Sequence, residues 1–172
     1  LANQTIALSN RCNLACTYCW YETDSTTYPA HLVGLHDYDQ WFAACASYGT
    51  LDAAFLTGGE PLLRDDFAAT VALVAGYFRR TAVLTNGVLL ADRPEFIRAI
   101  SVPGAEVHVS LDHVSATLRD SVRGGTKHTL RGISHLVEAG IPTLITMVLT
   151  SHNAVDLVAV IEDLELWVKN WS

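Results

Sequence analysis

Residues 53–79 read AAFLTGGEPLLRDDFAATVALVAGYFR. This stretch holds one complete structural unit. Ala53 to Leu56 is a short apolar run that reads as a buried strand. Thr57-Gly58-Gly59-Glu60-Pro61 is a turn marked by Gly and Pro, and a helix candidate from Asp65 to Arg79 follows. Within it Phe67, Val71, Val74, Ala75 and Phe78 recur at a 3.6-residue period, giving one apolar stripe to lay against a sheet. Asp66 and Phe67 open that helix.

The same alternation runs along the whole chain. The other strand candidates are Thr5 to Leu8, Ala82 to Leu84, Val107 to Leu111 and Leu144 to Leu149. The other helix candidates are Asp37 to Tyr48, Arg93 to Ile100, Thr126 to Ala139 and Asn153 to Val168. Pro94 suits the first turn of a helix, where its missing N–H does no harm. Gly140 follows Ala139 as a C′ glycine, and Pro142 blocks continuation. Asn153 reads as a helix N-cap. Five strand-then-helix units predict an α/β fold with a parallel sheet and right-handed crossovers. An open doubly wound sheet and a (β/α) barrel both fit, and a complete eight-unit barrel takes about 250 residues. In either, ligands collect at the carboxyl ends of the strands, here the loops after Leu8, Leu56, Leu84, Leu111 and Leu149.

Bulk properties narrow the classes. Half of the 172 residues are hydrophobic and 17% are charged, enough for a sizeable core. A net charge of -7 argues against non-specific nucleic-acid binding, which relies on a basic face. No run of eighteen apolar residues is present, so no membrane span is expected, and residues 1–9 lack a charged n-region and an apolar h-region, so no signal peptide is expected.

Three of the four cysteines crowd the segment Ser9-Asn10-Arg11-Cys12-Asn13-Leu14-Ala15-Cys16-Thr17-Tyr18-Cys19-Trp20. Clustered thiols without an export signal point to a metal and to a reducing, cytoplasmic compartment. Three thiolates are one short of the set that closes a cluster or a structural zinc site, so one iron would keep an open position. A zinc reading needs a fourth ligand, for which His31 and His36 are the downstream candidates. Cys45 sits in an apolar helical stretch and reads as a small core residue.

The spacing C-x3-C-x2-C at Cys12, Cys16 and Cys19, with Tyr18 before the last cysteine, resembles the signature of the radical S-adenosylmethionine (radical SAM) superfamily. Thr57 to Leu63 is similar to that family's GGEP motif, and Thr85-Asn86-Gly87 to its TNG segment. Ser110-Leu111-Asp112 followed by Arg123-Gly124-Gly125 resembles the fourth-strand region of the peptide- and protein-maturase, SPASM-type branch. Leu149 to Asn153 resembles the end of the fifth strand. The resemblance implies a partial barrel with five of six units in a single core domain over residues 1–172, either the core of a longer protein or a short form of it.

It also implies a mechanism. Cys12, Cys16 and Cys19 would hold a [4Fe-4S] cluster whose open iron binds S-adenosylmethionine. An electron from a one-electron reductant such as flavodoxin or ferredoxin would cleave that cofactor to a 5′-deoxyadenosyl radical, which takes hydrogen from a substrate. Gly58 and Gly59 would let the backbone approach the cofactor, and Glu60 would accept from the methionine ammonium, although Gly-Gly-Glu-Pro alone also reads as a plain turn. Arg123 is placed on the methionine carboxylate or on the surface. Ser110 goes to the carboxylate or ribose, Asp112 to ribose or substrate, Asn86 to cofactor, substrate or a simple turn, and Tyr18 to the adenine. His113, His128, His135 and His152 read as structural or surface residues, and the Trp167 to Trp171 stretch as a packing face. The substrate expectation is a peptide. The alternatives are a small molecule of cofactor or nucleoside biosynthesis, and a non-catalytic iron–sulfur or zinc module.

Overall fold

The computed structural model describes residues 2–19, 33–115, 123–151, 153–154 and 157–169. His31, His152 and the side chains of the 167–171 stretch lie outside that set. Five parallel strands form one sheet: β1 (Ala2–Ala7), β2 (Leu51–Thr57), β3 (Arg80–Thr85), β4 (Ala105–Ser110) and β5 (Thr143–Thr146). The helices between and after them are α1 (Leu35–Ala46), α2 (Phe67–Tyr77), α3 (Pro94–Ile100), α4 (Thr126–Glu138) and α5 (Leu157–Lys169). Short 3₁₀ turns at Pro61–Leu63 and Val88–Ala91 follow β2 and β3.

Strand order decides between the two architectures. A doubly wound sheet reverses its order at a switch point, whereas here the strands lie as β1-β2-β3-β4-β5. Right-handed crossovers in unbroken sequence put every helix on the same face, so the sheet curls into a partial (β/α) barrel. Register confirms which residues share that face: Ile6 pairs with Leu56, Leu56 with Val83 and Val83 with Val107. All four are buried in one core with Phe42 of α1, Phe67, Val71 and Val74 of α2, Ile100 of α3, and Ile133 and Leu136 of α4. Each such side chain contributes about 1.5–3 kcal/mol by leaving water. The opposite, inner face carries Thr5 and Ala7, Ala53 and Phe55, Ala82 and Leu84, Glu106 and His108, then Leu144 and Thr146.

Element ends follow local chemistry. Pro94 opens α3 as expected. At the end of α4, Gly140 (φ 68°) donates to Val137 O at 2.9 Å and Ile141 to Leu136 O at 3.0 Å, the paired bonds of a Schellman stop. β5 ends at Thr146, three residues short of the expected Leu149, because the Val148 N–H leaves the ladder and donates to Asp112 at 3.0 Å. α5 spans Leu157–Lys169, and the Asn153 side chain bonds Val148 O (2.9 Å), Asp112 O (3.3 Å) and Thr150 N (2.7 Å). Cys45 is half-buried against the core. Among the described residues no helix is long and apolar enough to cross a membrane.

Candidate cofactor site

The loops at the carboxyl ends of β1 to β5 are stitched together by side chains whose positions follow from the strands that carry them. The cysteine loop leaves β1 at Leu8, whose N–H still pairs with Thr57 O at 2.8 Å. The glycine loop after β2 then grips it, with Gly59 N–H donating to Ser9 O (2.7 Å) and Glu60 N–H to Arg11 O (2.6 Å). A Cβ on Gly58 would stand 2.1 Å from Ser9 O, and one on Gly59 2.2 Å from Arg11 O. The close approach that these glycines permit is therefore to the cysteine loop itself. Gly59→Ala forces backbone against backbone and is expected to destabilise the chain by about 3 kcal/mol or more, read as a lowered urea midpoint.

Cys12 and Cys16 are half-buried, Cys19 is exposed, and none is in a disulfide. Burial pushes the Cys12 thiol above its ordinary range, and the charges of Glu60, Cys16 and Cys19 push the same way. Thiols that repel one another as thiolates call for a cation to discharge them. Asn86 of the segment after β3 donates its side-chain amide to Asn13 (2.8 Å) and to the Cys12 sulfur (3.8 Å). Its Oδ1 accepts from Val88 N at 3.0 Å, which makes the expected Asn-Gly turn as well.

Glu60 is fully buried. Its Oε1 accepts from Thr85 Oγ1 (2.7 Å) and Leu62 N (3.1 Å), and its Oε2 from Asn86 N (2.8 Å). Burial raises its pKa to about 7 despite those donors. The folded chain then binds a proton that the unfolded chain releases near 4.5, so stability falls as pH rises between those values. In the iron-free chain the loss from pH 5 to 7.5 is expected to be on the order of 1–3 kcal/mol. Glu60→Gln should flatten it in urea unfolding at the two pH values.

Asp112, 2% exposed just past β4, joins three loops. Its Oδ2 accepts from Arg123 Nε at 2.9 Å and from the Tyr18 hydroxyl, and its Oδ1 from Val148 N at 3.0 Å. Burial alone would raise its pKa, but the Arg123 and Tyr18 bonds and the Val148 N–H outweigh it and hold the carboxyl below its ordinary range. The Arg123 guanidinium also lies over the Tyr18 ring, 5.4 Å from its centre. Burial and the Asp112 bond both raise the Tyr18 pKa, keeping its hydroxyl protonated. Ser110 is half-buried at the inner mouth of β4.

Sequence reasoning placed Tyr18, Asp112 and Arg123 separately on a ligand, whereas the structure bonds them to one another. It missed Thr85 and Asn13, which hold Glu60 and Asn86, and the Glu106–His108 pair (3.0 Å) on the inner face. The polar end of β3 and the i, i+2 spacing on β4 were the available signals. His113 is buried, with Nδ1 accepting from Ser115 N, and His135 bonds Leu90 O, as structural histidines do. His128 lies on the surface near Asp92. His36 is exposed and bonded to Gln40.

Among the described residues no three His, Cys, Asp or Glu side chains converge on a single ion. A cuboidal cluster asks for a different arrangement, one thiolate per iron with the sulfurs spread around the cube. Three thiols on one loop, an amide donor at Cys12 and a buried Asn10 Oδ1 with no donor among the described residues fit such a group and a polar ligand beside it.

A curled parallel sheet with a three-cysteine loop after its first strand defines a radical SAM core. The radical SAM superfamily model matches residues 6–164, and the chain belongs to that superfamily, whose enzymes use an iron–sulfur cluster and S-adenosylmethionine. Among particular relatives, it is 33% identical over 165 residues to the sporulation killing factor maturation protein SkfB of Bacillus subtilis, covering 92% of this chain and 38% of SkfB. It is also 33% identical over 164 residues to a probable GTP 3′,8-cyclase of Methanopyrus kandleri, covering 92% of this chain and 51% of the cyclase. The chain thus spans about half or less of the length of these relatives. In fold it is similar to Streptococcus suis SuiB bound to its precursor peptide SuiA (TM-score 0.78, 17% identity, 94% of this chain and 36% of SuiB). It is likewise similar to anSMEcpe with bound S-adenosylmethionine (TM-score 0.78, 18% identity, 95% and 48%).

Proposed function

We propose that residues 1–172 form the catalytic core of a radical SAM enzyme that modifies a peptide. Cys12, Cys16 and Cys19 hold three irons of a [4Fe-4S] cluster and leave the fourth open to S-adenosylmethionine. When bound, the cluster supplies the electron for reductive cleavage of that cofactor, drawn from a reductant of flavodoxin or ferredoxin type. The chain's own residues bind and orient. Glu60 takes the methionine ammonium through Oε2, where Asn86 is the single described donor. Asp112 aims Arg123, whose remaining N–H groups meet the methionine carboxylate. Ser110 gives its hydroxyl to the carboxylate or the ribose, Tyr18 its backbone to the adenine, and Gly58, Gly59 and Asn86 complete the wall.

The observation that carries this reading is the bonding of the cysteine loop to the ends of β2, β3 and β4 at the mouth of the inner face. A peptide is favoured because the inner face is open at Thr5, Ala7, Leu144 and Thr146, and because SkfB is a maturation protein. A nucleotide is the second reading, favoured by equal identity to GTP 3′,8-cyclases over nearly the same span. The test measures 5′-deoxyadenosine from the reconstituted protein with a precursor peptide encoded beside its gene, or with GTP. The peptide should raise turnover at least about tenfold over the substrate-free rate. A rise with GTP alone would move the assignment to the second reading.

A further inference from the structure

The Glu106–His108 pair takes no part in the roles above. The two residues lie two positions apart on β4, so strand alternation puts them on one face, opposite Val107 and Val109 of the core. The His108 Nε2 stands 3.0 Å from Glu106 Oε1. The His108 ring meets Phe55 of β2 edge to face, with 6.2 Å between centres. Ala82 of β3 pairs with both Phe55 and Glu106, and its small methyl lets Phe55 reach across. Leu84 and Leu144 flank His108 in register. Among these apolar neighbours the side chains of His108 and Glu106 are 16% and 21% exposed. Branched apolar side chains ordinarily fill the inside of such a barrel, and a carboxylate beside an imidazole costs desolvation there. The pair is thus a poor choice for packing and a good one for holding a polar group.

Height along the barrel decides which group. Ser110 is the next residue of β4 on this face, about 6.6 Å nearer the carboxyl end. Ser110 is assigned above to the cofactor, so His108 lies one step deeper, on the side from which a substrate enclosed by the sheet meets that cofactor. A carboxylate only accepts, so Nε2 of the neutral ring donates to Glu106 and Nδ1 is left as an acceptor. Among the described residues no donor meets Nδ1. We propose that His108 is a specificity residue whose Nδ1 accepts a hydrogen bond from an N–H or O–H group of the substrate, with Glu106 fixing the tautomer. A peptide supplies such a donor from its backbone or a side chain, and GTP from its guanine edge or its ribose hydroxyls. The contact with substrate rests on the proposed function; the tautomer does not.

Two substitutions separate this role from packing. Asparagine puts an amide oxygen near the place of Nδ1 but does not reach Glu106. Glutamine puts an amide nitrogen near the place of Nε2 but has no acceptor at the place of Nδ1. In the reconstituted protein, 5′-deoxyadenosine is measured without substrate, with the precursor peptide and with GTP. His108→Gln is expected to lower the rate that substrate adds by about tenfold, and His108→Asn by less than about threefold, with substrate-free rates within about twofold of the unaltered protein. Stimulation by the peptide or by GTP tells which of them supplies the donor. Equal losses in the two variants, or His108→Asn being the weaker, would overturn the proposal. So would a substrate-free rate that falls in step with the stimulated one. Nitrogen NMR of the iron-free chain is the second measurement and needs neither cluster nor substrate. With the ring neutral the proton should sit on Nε2, and a proton on Nδ1 would overturn the proposal. Failure of the cluster or substrate reading is a separate result, seen as no turnover, or no stimulation, in the unaltered protein.

Discussion

Alanine at Cys12, Cys16 or Cys19 is expected to abolish cluster binding, taking bound iron and sulfide to background after anaerobic reconstitution. Removing one of three thiolates leaves two ligands on a loop that is read as holding three irons. Cys45→Ala is expected to bind iron like the unaltered chain, since Cys45 packs against the core near Phe42 on α1 rather than facing the loop. Iron and sulfide analysis with visible absorbance measures both. Iron loss in Cys45→Ala, or full iron in any loop variant, contradicts the ligand assignment.

The second large effect lies at Asp112. Its side chain and that of Arg123 are 3% and 10% exposed, so the pair is cut off from water. Asp112→Ala removes the acceptor for Arg123, Tyr18 and Val148 together and leaves a buried cation without its counter-charge. The expected loss is about 3–5 kcal/mol in urea unfolding. Asp112→Ala/Arg123→Met should recover part of that loss, because the stranded charge is gone. A single-variant loss under about 1 kcal/mol, or no recovery in the double variant, would mean that the three loops do not depend on this carboxylate.

Much of this was legible in the sequence, for identifiable reasons. The α2 stripe of Phe67, Val71 and Val74 and the stop at Gly140 are local signals, and both appear where they were read, while Ala75 is only half-buried and Phe78 is buried just past the helix end. The choice between an open sheet and a barrel was legible only through the motifs that resemble a known family, because strand order is a property of pairing between distant segments. The end of β5 was misplaced for the same reason. Val148 and Asn153 answer to Asp112, which lies more than thirty residues earlier. The site divides likewise. Glycine's freedom at Gly58 and Gly59 could be read, but not that the cysteine loop fills the space it opens. Glu60 was legible as an acceptor, yet its complete burial under Thr85 and Asn86 depends on β2 and β3 lying side by side.

The central claim is that this loop carries an iron–sulfur cluster that cleaves S-adenosylmethionine. Its most direct test is anaerobic reconstitution with iron and sulfide, reduction with dithionite, and assay of 5′-deoxyadenosine on adding S-adenosylmethionine. The account predicts 5′-deoxyadenosine from the unaltered chain and none from the Cys12, Cys16 or Cys19 alanine variants. A chain that takes up zinc but no cluster, or whose product formation survives loss of those cysteines, would contradict it.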